Sequence, residues 1–302
     1  MSQEVLKKNS KSFYFAGYLL GSKQFRSIAA LYNICRTLDD LADCTTNSHQ
    51  ARARLLAAQN AFNSKDISNS LVMIKNRDCK KVKEINIDSL ITGLLTDTEE
   101  VRIQTTENLL IYCYRVAGTV GLMICDIFQI HNSNARAHAI DLGIAMQLTN
   151  IARDVMEDAK MGRIYLPQEL INNIGTEQIK KPNESEKNII SSAVNRILLL
   201  ADEHYNSGFS GLPFLPFRSR FSLFLAGRIY RRIGIKIRKH GLNIWGGRYY
   251  VNSFEKCFEL LSCIFLFIIN LNLHQYKTTH NTKLHRYFRY LPDANYPTEK
   301  KK

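Results

Sequence analysis

The chain lacks a charge-free apolar run long enough to cross a bilayer. The longest, Leu260 to Leu273, is fourteen residues, where a spanning helix needs about 20. Two readings of that run remain: a buried terminal helix, which its shortness favours, or a surface that docks on a bilayer. The second would be helped by the tail from Gln275 to Lys302, whose seven Lys/Arg stand against two acids. Proline and glycine are also scarce, six and fifteen in 302 residues, and β-branched residues do not alternate with polar ones, which argues for helices over strands. No fixed-period repeat or low-complexity tract appears. The seven cysteines, at 35, 44, 79, 113, 125, 257 and 263, form no C-x-x-C pair and no Cys/His zinc spacing. With no signal peptide at the start, free thiols in a reducing cytoplasm are the expectation.

Acids are outnumbered, 27 Asp and Glu against 41 Lys and Arg, a formal charge of +14. Such a surface attracts anions: nucleic acid, anionic lipid or phosphorylated metabolites. The dense basic run is R-I-Y-R-R-I-G-I-K-I-R-K at 228–239, and it can equally flank a phosphate pocket or a membrane, so nucleic acid is not the expected partner.

What is present is a hydrophobic content of 45%, enough for a substantial core. Helical periodicity spans 22–43, 48–64, 99–129, 134–158, 186–206 and 217–240, with an apolar helix from about 253 to 273. The breaks between them, at 75–88, 171–186 and 208–217, carry charge, Asn, Gly or Pro and do not resemble flexible linkers. One all-α domain is expected.

Two segments put charge where a helix would bury it. In Y-N-I-C-R-T-L-D-D-L-A-D, residues 32–43, positions three or four apart share a face. Tyr32, Arg36, Asp39 or Asp40, and Asp43 then form one polar stripe, while Ile34, Leu38 and Leu41 pack elsewhere. A solvated helix offsets such acids with Lys or Arg at i+4; here Asp39 and Asp43 repel each other. In Q-L-T-N-I-A-R-D-V-M-E-D, residues 147–158, Asn150, Asp154 and Asp158 are spaced four and four. Two facing helices of oxygen ligands suit a hard divalent cation such as Mg²⁺, which is held by one or two carboxylates together with substrate phosphates. Arg36 and Arg153 would contact the remaining phosphate oxygens. A di-iron bundle would need Glu-x-x-His pairs, which these helices lack. Two-carboxylate glycosidase chemistry does not need four acids in two i,i+4 pairs.

These residues, with S-K-S-F at 10–13, Y-C-Y-R-V-A-G-T-V-G at 112–121 and the continuation A-K-M-G-R-I-Y-L-P to residue 167, resemble the squalene and phytoene synthase family of head-to-head prenyl transferases. The resemblance runs in order from residue 10 to about 250. It implies an all-α isoprenoid synthase fold with a central cavity, a domain at 1–274 and a basic tail at 275–302. It implies that Asp39, Asp43, Asn150, Asp154 and Asp158 surround Mg²⁺ (Mn²⁺ as an alternative), and that the four aspartates are catalytic through it. Ser10, Ser12, Tyr32, Arg36, Gln147, Arg153 and Tyr230 match positions that hold diphosphate, and Arg248 in G-G-R-Y-Y-V looks like a further phosphate contact. Tyr112 matches a tyrosine near the reacting carbons; a core tyrosine packed by Gly118 and Gly121 is the other reading. In such enzymes one allylic diphosphate ionises, a second adds to give a cyclopropylcarbinyl diphosphate, and a second ionisation yields the linear product.

S-G-L-P-F-L-P-F-R-S-R at 210–220, I-Y-R-R-I-G-I-K-I at 229–237 and N-I-W-G-G-R at 243–248 look most like bacterial phytoene synthases. That implies two geranylgeranyl diphosphates as substrate, phytoene as product and no NADPH. The alternative is farnesyl diphosphate condensed to dehydrosqualene, or to squalene with NADPH. The expected place of action is the cytoplasm, with peripheral membrane contact as an alternative to a fully buried terminal helix.

Overall fold

The computed structural model describes residues 2–43, 48–275 and 279–294, without the side chains of Lys11, Ser12 and Asn272. Cys44, the Ser12 side chain and the tail lysines 277, 300, 301 and 302 therefore lie outside the described residues. Fourteen α-helices are present among the described residues, and they pair no strands beyond a single parallel bridge between Arg102 and Ile164.

Helix α1 (Ser2–Asn9) and helix α2 (Lys11–Gly17) precede α3 (Ser22–Ala42), which ends on Asp43. Helices α4 (Ser48–Ser64), α5 (Ser70–Asp78) and α6 (Glu84–Thr96) follow. Together α3 to α6 enclose one apolar cluster built on Leu31, Ile34, Leu38, Leu55, Ile87 and Ile91. The expected break at 75–88 narrows to Cys79–Lys83, because α5 runs to Asp78, where Cys79 closes it, and α6 begins at Glu84.

The second, larger cluster is organised by α9 (Ser133–Lys160), whose Ile140, Ile144, Leu148, Ile151 and Val155 recur at three- and four-residue spacing. Around it lie α7 (Thr106–Cys113), α8 (Thr119–Phe128), α12 (Glu184–Ser210) and α13 (Phe217–Lys239), with short α10 (Gln168–Ile171) and α11 (Thr176–Lys180) below. Backbones approach closely: a Cβ on Gly143 would stand 2.2 Å from the Ala117 carbonyl, and one on Gly121 2.2 Å from that of Ala139. Only glycine fits at either crossing.

The helix expected over 99–129 begins only at Thr106, where the Thr105 hydroxyl accepts from the Asn108 amide at 3.1 Å. Val101 and Ile103, β-branched and extended, instead exchange backbone hydrogen bonds with Ile164 (3.0 and 3.3 Å), so pairing across the chain wins over local periodicity. Residues Tyr114–Gly118 form a π-helical turn between α7 and α8, a distortion frequent at functional sites. Thr106–Phe128 as a whole is 23 residues, long and apolar enough to cross a membrane, yet it is mostly buried inside the bundle.

Helix α14 (Ser253–Ile269) buries only Glu259, Cys263 and Phe267. Phe254, Phe258, Leu261, Phe265 and Ile268 are exposed, so the terminal apolar run is buried on one side only. The basic run of α13 is neutralised by its neighbours: Arg228 reaches Glu259 at 3.0 Å, Arg231 and Arg238 reach Asp202 at 2.7 and 2.5 Å, and Lys236 reaches Glu255 at 2.8 Å. The described cysteines are free thiols.

Candidate active site

A cavity of about 450 Å³ opens between the two apolar clusters. From α3 it receives Arg36, Asp39 and Asp43; from α9, Gln147, Asn150, Arg153, Asp154, Glu157 and Asp158; from other elements, Asp97, Tyr112, Arg163, Tyr165 and Arg248. The two stripes separated by more than a hundred residues thus share one wall-to-wall space, because α3 and α9 both pack on α8.

The charges are distributed unevenly. Asp154 is gripped by two guanidinium groups: Arg153 Nε donates to it at 2.7 Å, and Arg248 forks it through Nε at 2.8 Å and Nη2 at 3.0 Å. Burial opposes ionisation there, but the two arginines outweigh it and hold the carboxyl below its usual range. Asp43 pairs with Arg163 at 2.7 Å, and Arg36 pairs with Asp40 on the helix exterior rather than with Asp39. Asp39 and Asp158 have no ion pair or side-chain hydrogen bond among the described residues. Burial, reinforced by Asp43 and Asp97, pushes Asp39 up to about 7. Burial and neighbouring Asp154 push Asp158 up to about 8. Nearby, Asn150 Oδ1 is buried with no hydrogen-bond partner among the described residues. Two carboxylates without counter-ions and an orphaned amide oxygen fit a divalent cation held by oxygen. Arg36 Nε is likewise buried and unpartnered, a donor available to an anion.

Arg163 reaches the cavity through the way α9 ends. Gly162 takes φ +79°, its amide bonds the Ala159 carbonyl at 3.1 Å, and the Arg163 amide bonds that of Asp158 at 2.9 Å. This six-residue cap reverses the chain and requires glycine. Arg163 Nη2 then donates to the Asp97 carbonyl at 3.1 Å. The Asp97 carboxylate, raised to about 6 by burial despite its partners, accepts from Tyr165 at 2.7 Å and Tyr112 at 3.0 Å. Burial holds the Tyr112 phenol well above its ordinary range, so it stays protonated.

Ser10, Tyr32 and Tyr230 do not line the cavity but stand beside it as a connected group. Ser10 is hydrogen-bonded to Tyr230, whose electrostatic neighbours include Arg153, Arg248 and Asp154. Phe13 packs between the two tyrosine rings, 5.0 Å from Tyr230 and 6.4 Å from Tyr32. Sequence reasoning gave no role to Asp97, Glu157, Arg163 or Tyr165. Three of them fall within or just after the acidic α9 segment, in E-D-A-K-M-G-R-I-Y, whose continuation was a usable signal. Asp97, alone after α6, had none.

Comparison with known proteins identifies the family. Residues 6–255 match the family described as squalene/phytoene synthase. A 15-cis-phytoene synthase from Enterobacter agglomerans is 34% identical over 263 residues, 82% of this chain and 88% of that protein. A 4,4'-diapophytoene synthase from Staphylococcus haemolyticus is 31% identical, covering 84% of this chain and 91% of its own. A crystal structure of a dehydrosqualene synthase in complex with ligand superposes with a TM-score of 0.77 at 29% identity, over 88% of this chain and 95% of that one.

Proposed function

The chain belongs to the squalene/phytoene synthase family, prenyltransferases of the isoprenoid synthase fold, and we propose that it condenses two geranylgeranyl diphosphates head to head into phytoene by way of prephytoene diphosphate. The observation that carries this reading is the convergence of Asp39, Asp43, Asn150, Asp154 and Asp158 on one cavity that also holds Arg36, Arg153, Arg163 and Arg248. The C20 substrate is supported by the phytoene synthase relatives and by the bacterial phytoene synthase-like segments at 210–248.

Mg²⁺, for which Mn²⁺ could substitute, would be held by those five oxygen-bearing residues and would supply Lewis-acid stabilisation of the departing diphosphate. The chain's own part is proposed from the residues in and beside the cavity. Arg36, with an open Nε, and Arg248, half exposed at the rim, would receive phosphate oxygens, with Gln147 on the cavity wall and Ser10, Tyr32 and Tyr230 beside it as further polar contacts; Ser12 is proposed for the same role only from its place in the S-K-S-F block. Arg153 orients Asp154. Tyr112 and Tyr165 present buried aromatic faces, 5.1 Å apart, to the deeper wall, where a developing allylic cation is favoured and water is excluded.

Product analysis tests the assignment. Purified protein is incubated with Mg²⁺ and either geranylgeranyl or farnesyl diphosphate, each with and without NADPH, and the hydrocarbon is identified by mass spectrometry. A C40 product without NADPH is expected. A C30 product would move the substrate to farnesyl diphosphate, as the likeness to a dehydrosqualene synthase and a diapophytoene synthase favours, with NADPH dependence separating squalene from dehydrosqualene.

We also propose that the catalytic domain spans residues 1–274, with 275–302 an appended segment: the family match ends at 255, and α14, which runs on to Ile269, packs on α13 of the bundle. The enzyme's place is the cytoplasm, in peripheral contact with a bilayer. The exposed phenylalanines of α14 support this, as does an apolar groove of about 590 Å³ beside them, bordered by Lys7, Tyr18, Leu19 and Lys256. Flotation with anionic vesicles should recover the protein, and Phe258→Glu with Phe265→Glu should leave it unbound.

A further inference from the structure

At the opposite end of α9 from the cavity, a second group of ionisable side chains is closed off from solvent. Asp141 is fully buried, and His138, His204, His280 and His285 around it are buried as well. They come from three places: His138 and Asp141 share a face of α9 at i,i+3, His204 lies on α12, and His280 and His285 lie in the segment 279–294. Oδ1 of Asp141 stands 2.8 Å from His204 Nδ1 and 3.0 Å from His285 Nε2. Oδ2 stands 2.7 Å from His280 Nε2 and accepts from Ser207 Oγ at 2.5 Å. That hydroxyl is in turn 3.0 Å from His138 Nδ1. No Lys or Arg among the described residues pairs with this carboxylate, unlike the buried Asp126, which Arg136 meets at 2.7 Å. A buried anion met only by imidazoles and a hydroxyl calls for a cation of another kind.

One donor atom from each of His138, Asp141 and His280 lies within 4.8 Å of the others. Ligands of a tetrahedral zinc stand about 3.4 Å apart, given bonds of about 2.0–2.1 Å, so a small rearrangement that parts Asp141 Oδ2 from His280 Nε2, now 2.7 Å apart, admits the ion. Two imidazoles with one carboxylate are the donors of a borderline transition metal and not of Mg²⁺. We propose that His138, Asp141 and His280 form a buried Zn²⁺-type site that fastens the C-terminal segment to the catalytic bundle. His204 and His285 keep Oδ1 of Asp141, fixing the carboxylate so that Oδ2 faces the ion, as hydrogen-bonded outer partners do in metal sites. His280 lies beyond the family match at 6–255, so the site depends on a segment outside it. That segment also stacks Phe288 on Tyr114 of the π turn at 5.0 Å and ties Asp293 to Lys83 at 3.1 Å, which places the ion at one anchor of a strap over the turn that follows Tyr112.

The test uses the full chain with excess Mg²⁺ present, so that the oxygen-lined cavity is saturated. Metal content is measured after purification without chelator, and the stripped protein is titrated with Co²⁺. Stoichiometric zinc and the intense visible absorption of four-coordinate Co²⁺ are expected, with the band lost in His280→Asn and in His138→Gln and kept in Asp154→Asn. Circular dichroism confirms that each variant is folded. Absence of both zinc and the band in the folded wild-type chain overturns the proposal and leaves an imidazole–carboxylate clasp. A band that survives in either folded histidine variant, or that disappears in Asp154→Asn, overturns it as well.

Discussion

Helix α9 carries buried carboxylates at both ends, and the two ends are built in opposite ways. At Asp141 three imidazoles and a serine hydroxyl meet the two oxygens, and against the opposing effect of burial the imidazoles hold the carboxyl well below its usual range. At Asp158, four turns or more along the same helix, burial and the neighbouring Asp154 outweigh the one nearby cation, Arg163, which makes no ion pair with it. One region is closed from solvent and rings its carboxylate with nitrogen donors; the other opens on a cavity and gathers carboxylates. Structural metal sites are closed and catalytic ones keep positions open for substrate, and a carboxylate pushed upward in a cleft marks a functional site. The difference teaches that charge density alone does not identify an active centre. What identifies it is charge that the protein leaves uncompensated.

The largest effect comes from removing that uncompensated charge. Asp39→Asn or Asp154→Asn should lower kcat about a thousandfold, because metal-assisted stabilisation of a leaving diphosphate is worth several kcal/mol. Far-UV circular dichroism should remain that of the parent. Full activity in both purified variants would break the comparison outright. Arg248→Lys is a gentler probe, since it keeps the charge and removes the fork to Asp154. KM for the diphosphate should rise about tenfold, in line with losing one charge-assisted hydrogen bond; an unchanged KM would remove Arg248 from the diphosphate site.

Stability should move the other way. The folded chain holds protons on Asp39 and Asp158 up to about 7 and about 8, whereas the unfolded chain releases them near 4. The native state therefore binds more protons across that window, and stability of the chelated protein falls as pH rises through it. His285, whose pKa is lowered mainly by burial, contributes with the opposite sign, but only below its unfolded value near 6.5. Between roughly pH 7 and 8 the carboxylates dominate, and nearer pH 8.5 the buried thiols of Cys35, Cys79, Cys113, Cys125 and Cys263, raised by burial, add a decline of the same sign. The Tm of chelated protein should decline there, Mg²⁺ should restore it, and Asp158→Asn should flatten the decline. A flat profile in the parent would show that the cavity is not short of positive charge.

Much of this was readable from spacing. The i,i+4 recurrence of Asp39 and Asp43, and of Asn150, Asp154 and Asp158, set both stripes on helix faces that the fold does bring together. The long helices were legible because 3.6-residue periodicity persists over many turns. What could not be read depends on contacts across the chain. Residues 99–105 have helical composition but pair with Ile164 instead. Asp97 has no local pattern, and only the meeting of α6 with Tyr112 and Tyr165 gives it a place. The Asp141 cluster joins positions 138, 141, 204, 280 and 285, a spacing that no local motif encodes. Arg36 lines the cavity with the acidic stripe yet pairs with Asp40, a choice of rotamer that sequence does not contain.

Tyr112 gives the smallest expected effect and the sharpest distinction between ring and hydroxyl. Its hydroxyl donates to Asp97, itself held by Tyr165 and lying beside Arg163, so the proton is engaged by the protein and not directed at the lumen. Tyr112→Phe removes that bond while keeping the aromatic face on the cavity wall. Chemical denaturation should then show a loss of about 1 kcal/mol, the usual net value of one hydrogen bond, and kcat should fall by less than about tenfold, since general acid or base assistance is worth about a hundredfold or more. Tyr112→Ala removes the face as well and should cost far more in kcat than the phenylalanine variant. If Tyr112→Phe alone loses a hundredfold with its fold intact, the hydroxyl moves protons at the reacting carbons, and Asp97 becomes the group that accepts them.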